Sequence, residues 1–310
     1  MTDKPRIGLV GCGRWGRHIL RDLLSLGCQV EVADPDPAAR QAAAQLGATR
    51  NVSDVGDWVD DALDGFVVAS PMQMHLAHID ALLVHAKPVF CEKPLSNDAA
   101  AAHDIVQRAG QRLFVMHKWR YHPGIEALET LAKEQRYGAV REIHTRRLQW
   151  SLDDPDKDAV WDLAPHDLSI VQAIAGALPP PRSAVMHCNA RGRPVSMVAL
   201  LAGANGPSAH LHLACNWPHE ERSVQVVFDD AVAVLADAYA EHLDIHHGDA
   251  AQPGTVEQVA IAQEFPLLRQ LRSFADHLRG GPPPKTPASE GLAVVAAIDS
   301  LRRLARGEEP

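Results

Sequence analysis

The chain has 310 residues, of which 46% are hydrophobic and 22% charged, with a formal net charge of −9 at pH 7. That length accommodates two domains with a sizeable core. The acidic balance argues against a nucleic-acid or anionic-membrane surface and leaves room only for a local basic pocket. No charged opening segment leads into an apolar one, and no apolar run spans a bilayer, so a cytoplasmic location without a membrane partner is expected. Five cysteines (Cys12, Cys28, Cys91, Cys188 and Cys215) show no C-x-x-C spacing. That pattern indicates neither a disulfide framework nor a zinc site, and no metal is expected.

The first element is an apolar run with Ile7, Leu9 and Val10, the pattern of a buried parallel strand. Gly11, Gly13 and Gly16 follow in G-x-G-x-x-G spacing, and an amphipathic helix starts beyond them. Each glycine has a steric reason: a tight strand-to-helix turn, close backbone approach to a pyrophosphate, and helix-on-strand packing. The uncapped N–H groups of that helix then favour a phosphate, with Arg14 and Trp15 beside it. A second strand, Cys28–Ala33, ends in Asp34, where a carboxylate accepts hydrogen bonds from a ribose and repels a 2′-phosphate. NAD is therefore expected over NADP, although Arg14 and Arg40 stand near enough in sequence to rescue a phosphate.

Strand and helix continue to alternate. Pro37–Leu46 reads as a helix, Asp64–Ser70 as a strand with Pro71 opening a turn, and Met74–His85 as a helix. Pro88–Cys91 reads as a strand, Asn97–Arg108 as an alanine-rich helix, and Leu113–Met116 as a strand. Repeated units of this length imply a doubly wound parallel sheet. The character changes near residue 120, so the expected domains are 1–120 and 121–310. In the second, a helix at Ile125–Lys133 precedes a long alternating segment, Val140–Trp150. A polar acidic stretch, Ser151–Asp158, leads to a helix from about Trp161 to Ile174. Further alternating segments at Ser183–Ala190, Val195–Leu201, Ala209–Asn216, Ser223–Phe228 and Ala231–Asp237 indicate a mainly antiparallel sheet with one face covered. Two helices, Pro266–Leu278 and Pro287–Leu304, close the chain.

Two stretches carry chemistry beyond dinucleotide binding. Cys91-Glu92-Lys93-Pro94 lies at the C-terminal end of a predicted parallel strand, where ligands bind in open α/β sheets. A lysine there can hold a substrate hydroxyl and stabilise the alkoxide formed as hydride leaves carbon. Asp162 and His166 stand four apart near a helix start and share one face. A carboxylate that holds one imidazole nitrogen supports proton uptake at the other; alternatively Asp162 is an N-cap and His166 a satisfied helix histidine. Arg146 and Arg147 point to opposite faces of their strand, and which one faces the site is open. His242, His246 and His247 lack a complete ligand pattern and read as a solvated cluster.

In order along the chain, these motifs resemble the glucose–fructose oxidoreductase / inositol dehydrogenase / MocA family. The glycine loop, Ser70-Pro71 with His75, Glu92-Lys93-Pro94 and Trp119-Arg120-Tyr121-His122-Pro123 carry the first half of the likeness. Asp162-x-x-x-His166, Asn216-Trp217 and the Phe228–Val234 hairpin carry the second. The resemblance implies a Rossmann domain followed by an α+β domain with an open, mainly antiparallel sheet that mediates assembly into a homodimer or homotetramer. It implies hydride exchange between a nicotinamide and a secondary alcohol or ketone of a sugar, nucleotide sugar or cyclitol. Lys93 and His166 then share the acid/base work and Asp162 orients His166. Ser70, Pro71, His75 and Glu92 join the cofactor site, and Arg120 and Tyr121 join Lys93, Asp162 and His166 in holding the substrate. Two departures stand out: Leu163-Ala164-Pro165 replaces a glycine-containing segment, and Asp167 directly follows His166 where the family places a later aspartate. Competing expectations are a silent NAD-binding sensor of the same fold, or a reductase of a non-sugar diol or tetrapyrrole.

Overall fold

The structure, a computed structural model, describes residues 4–58, 62–150, 158–248 and 253–309. The acidic stretch expected over 151–158 therefore lies outside the described residues, except for Asp158. The chain divides into two compact units, Met1–Lys118 with Phe265–Val295, and Trp119–Glu264 with Ala296–Pro310.

The first unit is built on six strands: β1 (Arg6–Val10), β2 (Gln29–Ala33), β3 (Arg50–Val52), β4 (Gly65–Val68), β5 (Val89–Glu92) and β6 (Leu113–Met116). They pair in parallel in the order β3-β2-β1-β4-β5-β6. This is the doubly wound arrangement, with its change of direction between β1 and β4. All residues of β4, β5 and β6 are buried, as a sheet covered on both faces requires. The covering helices are α1 (Arg14–Ser25), α2 (Pro37–Leu46), α3 (His75–Leu82) and α4 (Ala99–Ala109). Asp36 and Asp98 cap α2 and α4 by accepting the Ala38 and Ala101 N–H groups. A late segment joins the same core. Helix α7 (Pro266–Leu278) buries Leu267, Leu271, Phe274 and Ala275 among Ile7, Leu20, Val32 and Phe90, with the Phe90 and Phe274 rings 5.2 Å apart. Full burial of Leu271 and Phe274 contributes roughly 3–6 kcal/mol as an upper bound.

The second unit carries helices α5 (Pro123–Lys133) and α6 (Ala159–Ala175) and an eight-stranded sheet. Its strands are β7 (Val140–Trp150), β8 (Pro181–Cys188), β9 (Pro194–Ala202), β10 (Ser208–Ala214), β11 (Asn216–Phe228), β12 (Ala231–Leu235), β13 (His242–Gly248) and β14 (Pro253–Ala260). They lie in the order β14-β13-β12-β11-β7-β10-β9-β8. All these pairings are antiparallel except β7 with β10. Alternation sets the two faces. Ile143, Thr145 and Arg147 of β7 and Ala209, Leu211 and Leu213 of β10 are buried on the side that α6 covers. Helix α8 (Ala288–Ala305) crosses from the first unit's residues into the second's.

Candidate active site

In the first unit, the dinucleotide-type loop follows β1. Gly11 has φ +88°, and a Cβ there would sit 2.8 Å from the backbone N and Cα of Ser70, which follows β4. Only glycine fits that turn. A Cβ on Gly16 would strike the Gly11 carbonyl oxygen. Gly13 is different: nothing lies within 4 Å of where its Cβ would be, so no protein atom requires a glycine there. Gly13 is also the N-cap of α1, with no side-chain cap and no acidic residue in the first turn. The helix end is thus left with N–H donors and open space, which suits a phosphate.

Asp34 is held in place rather than merely nearby. Its Oδ2 accepts the Cys12 N–H at 2.7 Å and its Oδ1 the Asp36 N–H at 2.9 Å. Each oxygen keeps a further lone pair for a ribose hydroxyl. The Arg40 guanidinium donates to the Asp34 and Pro35 carbonyls at 2.7 and 2.9 Å. Those bonds hold one Arg40 nitrogen against the β2 turn, and the Asp34 carboxylate, fixed by two backbone N–H groups, fits the ribose of NAD.

Lys93 follows β5, half-buried, and its peptide bond to Pro94 is cis. Glu92 organises this turn from inside the strand. Its Oε1 accepts the Trp15 indole N–H at 2.6 Å and its Oε2 the Lys93 backbone N–H at 3.1 Å. Burial pushes the Glu92 carboxyl up, while the Lys93 and Lys118 ammonium groups and the Trp15 N–H pull it back. The Lys118 ammonium also lies 4.9 Å from the Trp15 ring centroid, an interaction with no signal in the sequence. His75 is buried, with ring nitrogens 2.9 Å from both the Pro94 and the Ser70 carbonyl oxygens. It ties the end of β4 to the Lys93–Pro94 turn. Ser70 Oγ meets His78 Nδ1 at 2.9 Å. Cys91 is fully buried and burial raises its thiol well above the ordinary range, leaving it inert.

In the second unit, α6 carries the Asp162/His166 pair. Its N-cap is Asp158, which accepts the Val160 and Trp161 N–H groups at 2.9 and 3.2 Å and is itself gripped by Arg302 at 2.7 Å. Asp162 therefore sits inside the first turn, half-buried, and the N-cap alternative for it falls away. Pro165 supplies no N–H to the Trp161 carbonyl one turn back. His166 is buried, and the Trp119 ring meets it edge-on at 6.5 Å.

The sheet puts Arg146 and Arg147 on opposite faces. Arg146 lies on the uncovered face against Glu221 at 2.8 Å. Arg147 lies on the covered face, its Nε 2.7 Å from Asp167 Oδ1 and its guanidinium 4.5 Å from the Trp119 ring. Asp167 is thus the anchor of α6 on β7. Burial pushes its carboxyl up and Arg147 pulls it down. Arg120 and Tyr121 are buried within the same unit, and Arg120 stands 3.8 Å from Glu129. A cavity of about 580 Å³ lies elsewhere, lined by Gln135, Arg141, Ile174 and Asn205 among others. It opens at the far end of α6 from His166, about 12 Å along the helix.

Residues 5–117 match the model of the "Oxidoreductase family, NAD-binding Rossmann fold". An inositol 2-dehydrogenase of Burkholderia cenocepacia (strain HI2424) is 26% identical over 315 residues, covering 96% of this chain and 93% of that protein. A UDP-N-acetylglucosamine 3-dehydrogenase of Acidithiobacillus ferrooxidans is 25% identical over 307 residues, covering 96% of each. Among solved structures, a levoglucosan dehydrogenase in complex with NADH and levoglucosan shares the fold with a TM-score of 0.87 at 16% identity. It covers 99% of this chain and 98% of its own. These matches define an NAD-binding oxidoreductase. The family model matches residues 5–117, and over nearly its whole length the chain is similar to dehydrogenases named for inositol and for UDP-N-acetylglucosamine.

Proposed function

We propose that the protein is an NAD-dependent dehydrogenase or reductase acting on a secondary alcohol or ketone of a sugar, nucleotide sugar or cyclitol. The observation that carries this reading is the Gly11–Gly16 loop, whose only unfilled glycine is Gly13, beside an Asp34 carboxylate fixed by two backbone N–H groups. The activities named for two relatives, on inositol and on UDP-N-acetylglucosamine, support this substrate class. NAD, when bound, accepts or supplies hydride at C4 of its nicotinamide.

In this reading Lys93 holds the carbinol oxygen and stabilises negative charge there as the C–H bond breaks. His166 takes the hydroxyl proton in oxidation and returns it in reduction. Asp162, one turn earlier on α6, steadies the imidazolium so formed. Glu92 fixes the backbone from which Lys93 projects. Self-association through the uncovered face of the eight-stranded sheet and a cytoplasmic location belong to the same proposal. Val185, Val198 and Val256 are exposed on that face, which light scattering can test for burial in a dimer or tetramer.

The experiment is NADH formation with a panel of sugars, cyclitols and nucleotide sugars. With the best substrate, Lys93→Met and His166→Ala each lower kcat by about 10²–10⁴ while NADH binding persists. Full rate with both residues replaced sinks the assigned roles. NADH binding without turnover on any panel member favours the sensor instead.

A further inference from the structure

The face of the eight-stranded sheet that α6 leaves uncovered carries one group of metal-type donors among the described residues. Glu142 and His144 on β7 and His210 on β10 place their ligand atoms within 4.8 Å of one another. The sheet topology brings them together. Glu142 and His144 are two apart on one strand and share its face. His144 and His210 are direct partners in the parallel β7·β10 register, as are Glu142 and Ser208. The two imidazoles stack with centroids 4.4 Å apart and planes 7° apart. Glu142 Oε2 lies 2.7 Å from His144 Nε2, and Ser208 Oγ lies 3.1 Å from His210 Nε2. Gln225 stands opposite His144 on β11.

We propose that Glu142, His144 and His210 form a binding site for a divalent transition ion of the Zn²⁺ or Ni²⁺ class, and that the ion staples β7 to β10. Two imidazole nitrogens and one carboxylate oxygen are the donor set of three-ligand zinc sites, in which water completes the shell. Mg²⁺ and Ca²⁺, which require oxygen donors, do not match it. Two nitrogens at about 2.05 Å from a tetrahedral ion stand about 3.4 Å apart. Donors already lie within 4.8 Å, and binding requires the stacked rings, 7° apart in plane, to turn so that both nitrogens face one ion; Glu142 is exposed and both histidines are half-buried.

The position gives the ion a consequence. The β7·β10 pairing is the parallel seam between the block β14-β13-β12-β11-β7 and the block β10-β9-β8. Parallel pairing is slightly weaker per residue than antiparallel, so a cross-strand ligand bond acts where the ladder is least strong. No spacing rule shows the site, since its ligands come from strands far apart in sequence. The histidines of β13 form no second such group among the described residues. His242 pairs with Asp244 at 3.3 Å, whereas His247 pairs with Glu257 at 3.2 Å.

The test uses the full chain without a histidine tag, stripped by chelator and titrated calorimetrically with ZnCl₂, NiCl₂ and MgCl₂, with melting curves in parallel. The site predicts one Zn²⁺ or Ni²⁺ per chain, no saturable Mg²⁺ binding at that stoichiometry, and a melting temperature that rises with Zn²⁺ concentration. His144→Ala and His210→Ala each weaken Zn²⁺ binding at least about tenfold, and Glu142→Gln weakens it measurably. His246→Ala, elsewhere on the same face, leaves it unchanged. Metal-stripped variants that melt with stripped wild type show that the fold is intact. Absence of saturable Zn²⁺ and Ni²⁺ binding overturns the proposal, as does undiminished binding in the His144→Ala/His210→Ala double variant.

Discussion

Replacing Arg147 by Met removes one partner of an ion pair sealed from water: Arg147 is 4% exposed and Asp167 1%. The bond is short, 2.7 Å from Nε to Oδ1, and the guanidinium also covers the Trp119 ring at 4.5 Å. An uncompensated carboxylate left in that position costs about 3–5 kcal/mol at neutral pH. Replacing both partners (Arg147→Met with Asp167→Leu) leaves no buried charge, and most of the loss is expected to return. The pH dependence follows from the direction of the shift. Burial holds the Asp167 carboxyl above its ordinary range and Arg147 pulls it down; without Arg147 it rises further. An acid with a raised folded-state pKa binds its proton more tightly in the folded protein. The single variant's deficit is therefore small below the ordinary carboxylate range and grows as pH rises through that range toward the raised value. Urea unfolding followed by tryptophan fluorescence and circular dichroism at pH 5 and pH 7 measures it. A deficit under about 1 kcal/mol at pH 7 would refute the reasoning, as would a double variant no better than the single, or a deficit independent of pH.

Three further outcomes are expected. Asp34→Ala removes the acceptor of the Cys12 N–H as well as the proposed ribose partner. NADH binding, read by fluorescence titration, weakens at least about tenfold, or 1.4 kcal/mol, and the preference over NADPH shrinks; an unchanged preference contradicts the assignment. Gly16→Ala drives a Cβ into the Gly11 carbonyl, so NADH affinity drops while the circular dichroism spectrum is retained. Equal affinity would show that the loop does not hold the dinucleotide. Trp15→Phe keeps a ring under Lys118 but removes the donor to Glu92, a charge-assisted bond worth about 1.5–3 kcal/mol. Its loss is expected to lower the melting temperature and kcat together, and a change in neither would deny Glu92 its part in placing Lys93.

The sequence made the first unit legible because its signals are local. Buried strands read as apolar runs, and the turn after β1 needs glycine at a positive φ and at a close approach. The short strand β3, with Arg50 and Asn51, carries too little apolar pattern to be read. Helix α7 shows an amphipathic face, but periodicity says only that a face is buried, not against what; its partners are β1, α1 and Phe90. In the second unit, alternation marks β7 to β12 as strands of a mainly antiparallel sheet but does not say which strands neighbour each other, so the one parallel pair, β7·β10, is not visible. Strand β14 is exposed over most of its length and has no inward face to produce a pattern. Opposite faces for Arg146 and Arg147 could be read from the two-residue repeat. Which one α6 covers could not, because Asp167 becomes Arg147's partner only once helix and strand pack. Residue type allows Asp162 as a cap for α6, but the bonds that Asp158 accepts from the Val160 and Trp161 N–H groups put the helix start one turn earlier.

The proposed reaction passes hydride between a carbinol carbon and NAD. Mass spectrometry of NADH formed from a substrate deuterated at its reacting carbon tests it most directly. One deuterium gained by the nicotinamide ring, at a rate lowered by Lys93→Met, is the expected result. NAD that stays bound yet gains no label from any deuterated sugar, cyclitol or nucleotide sugar would contradict it.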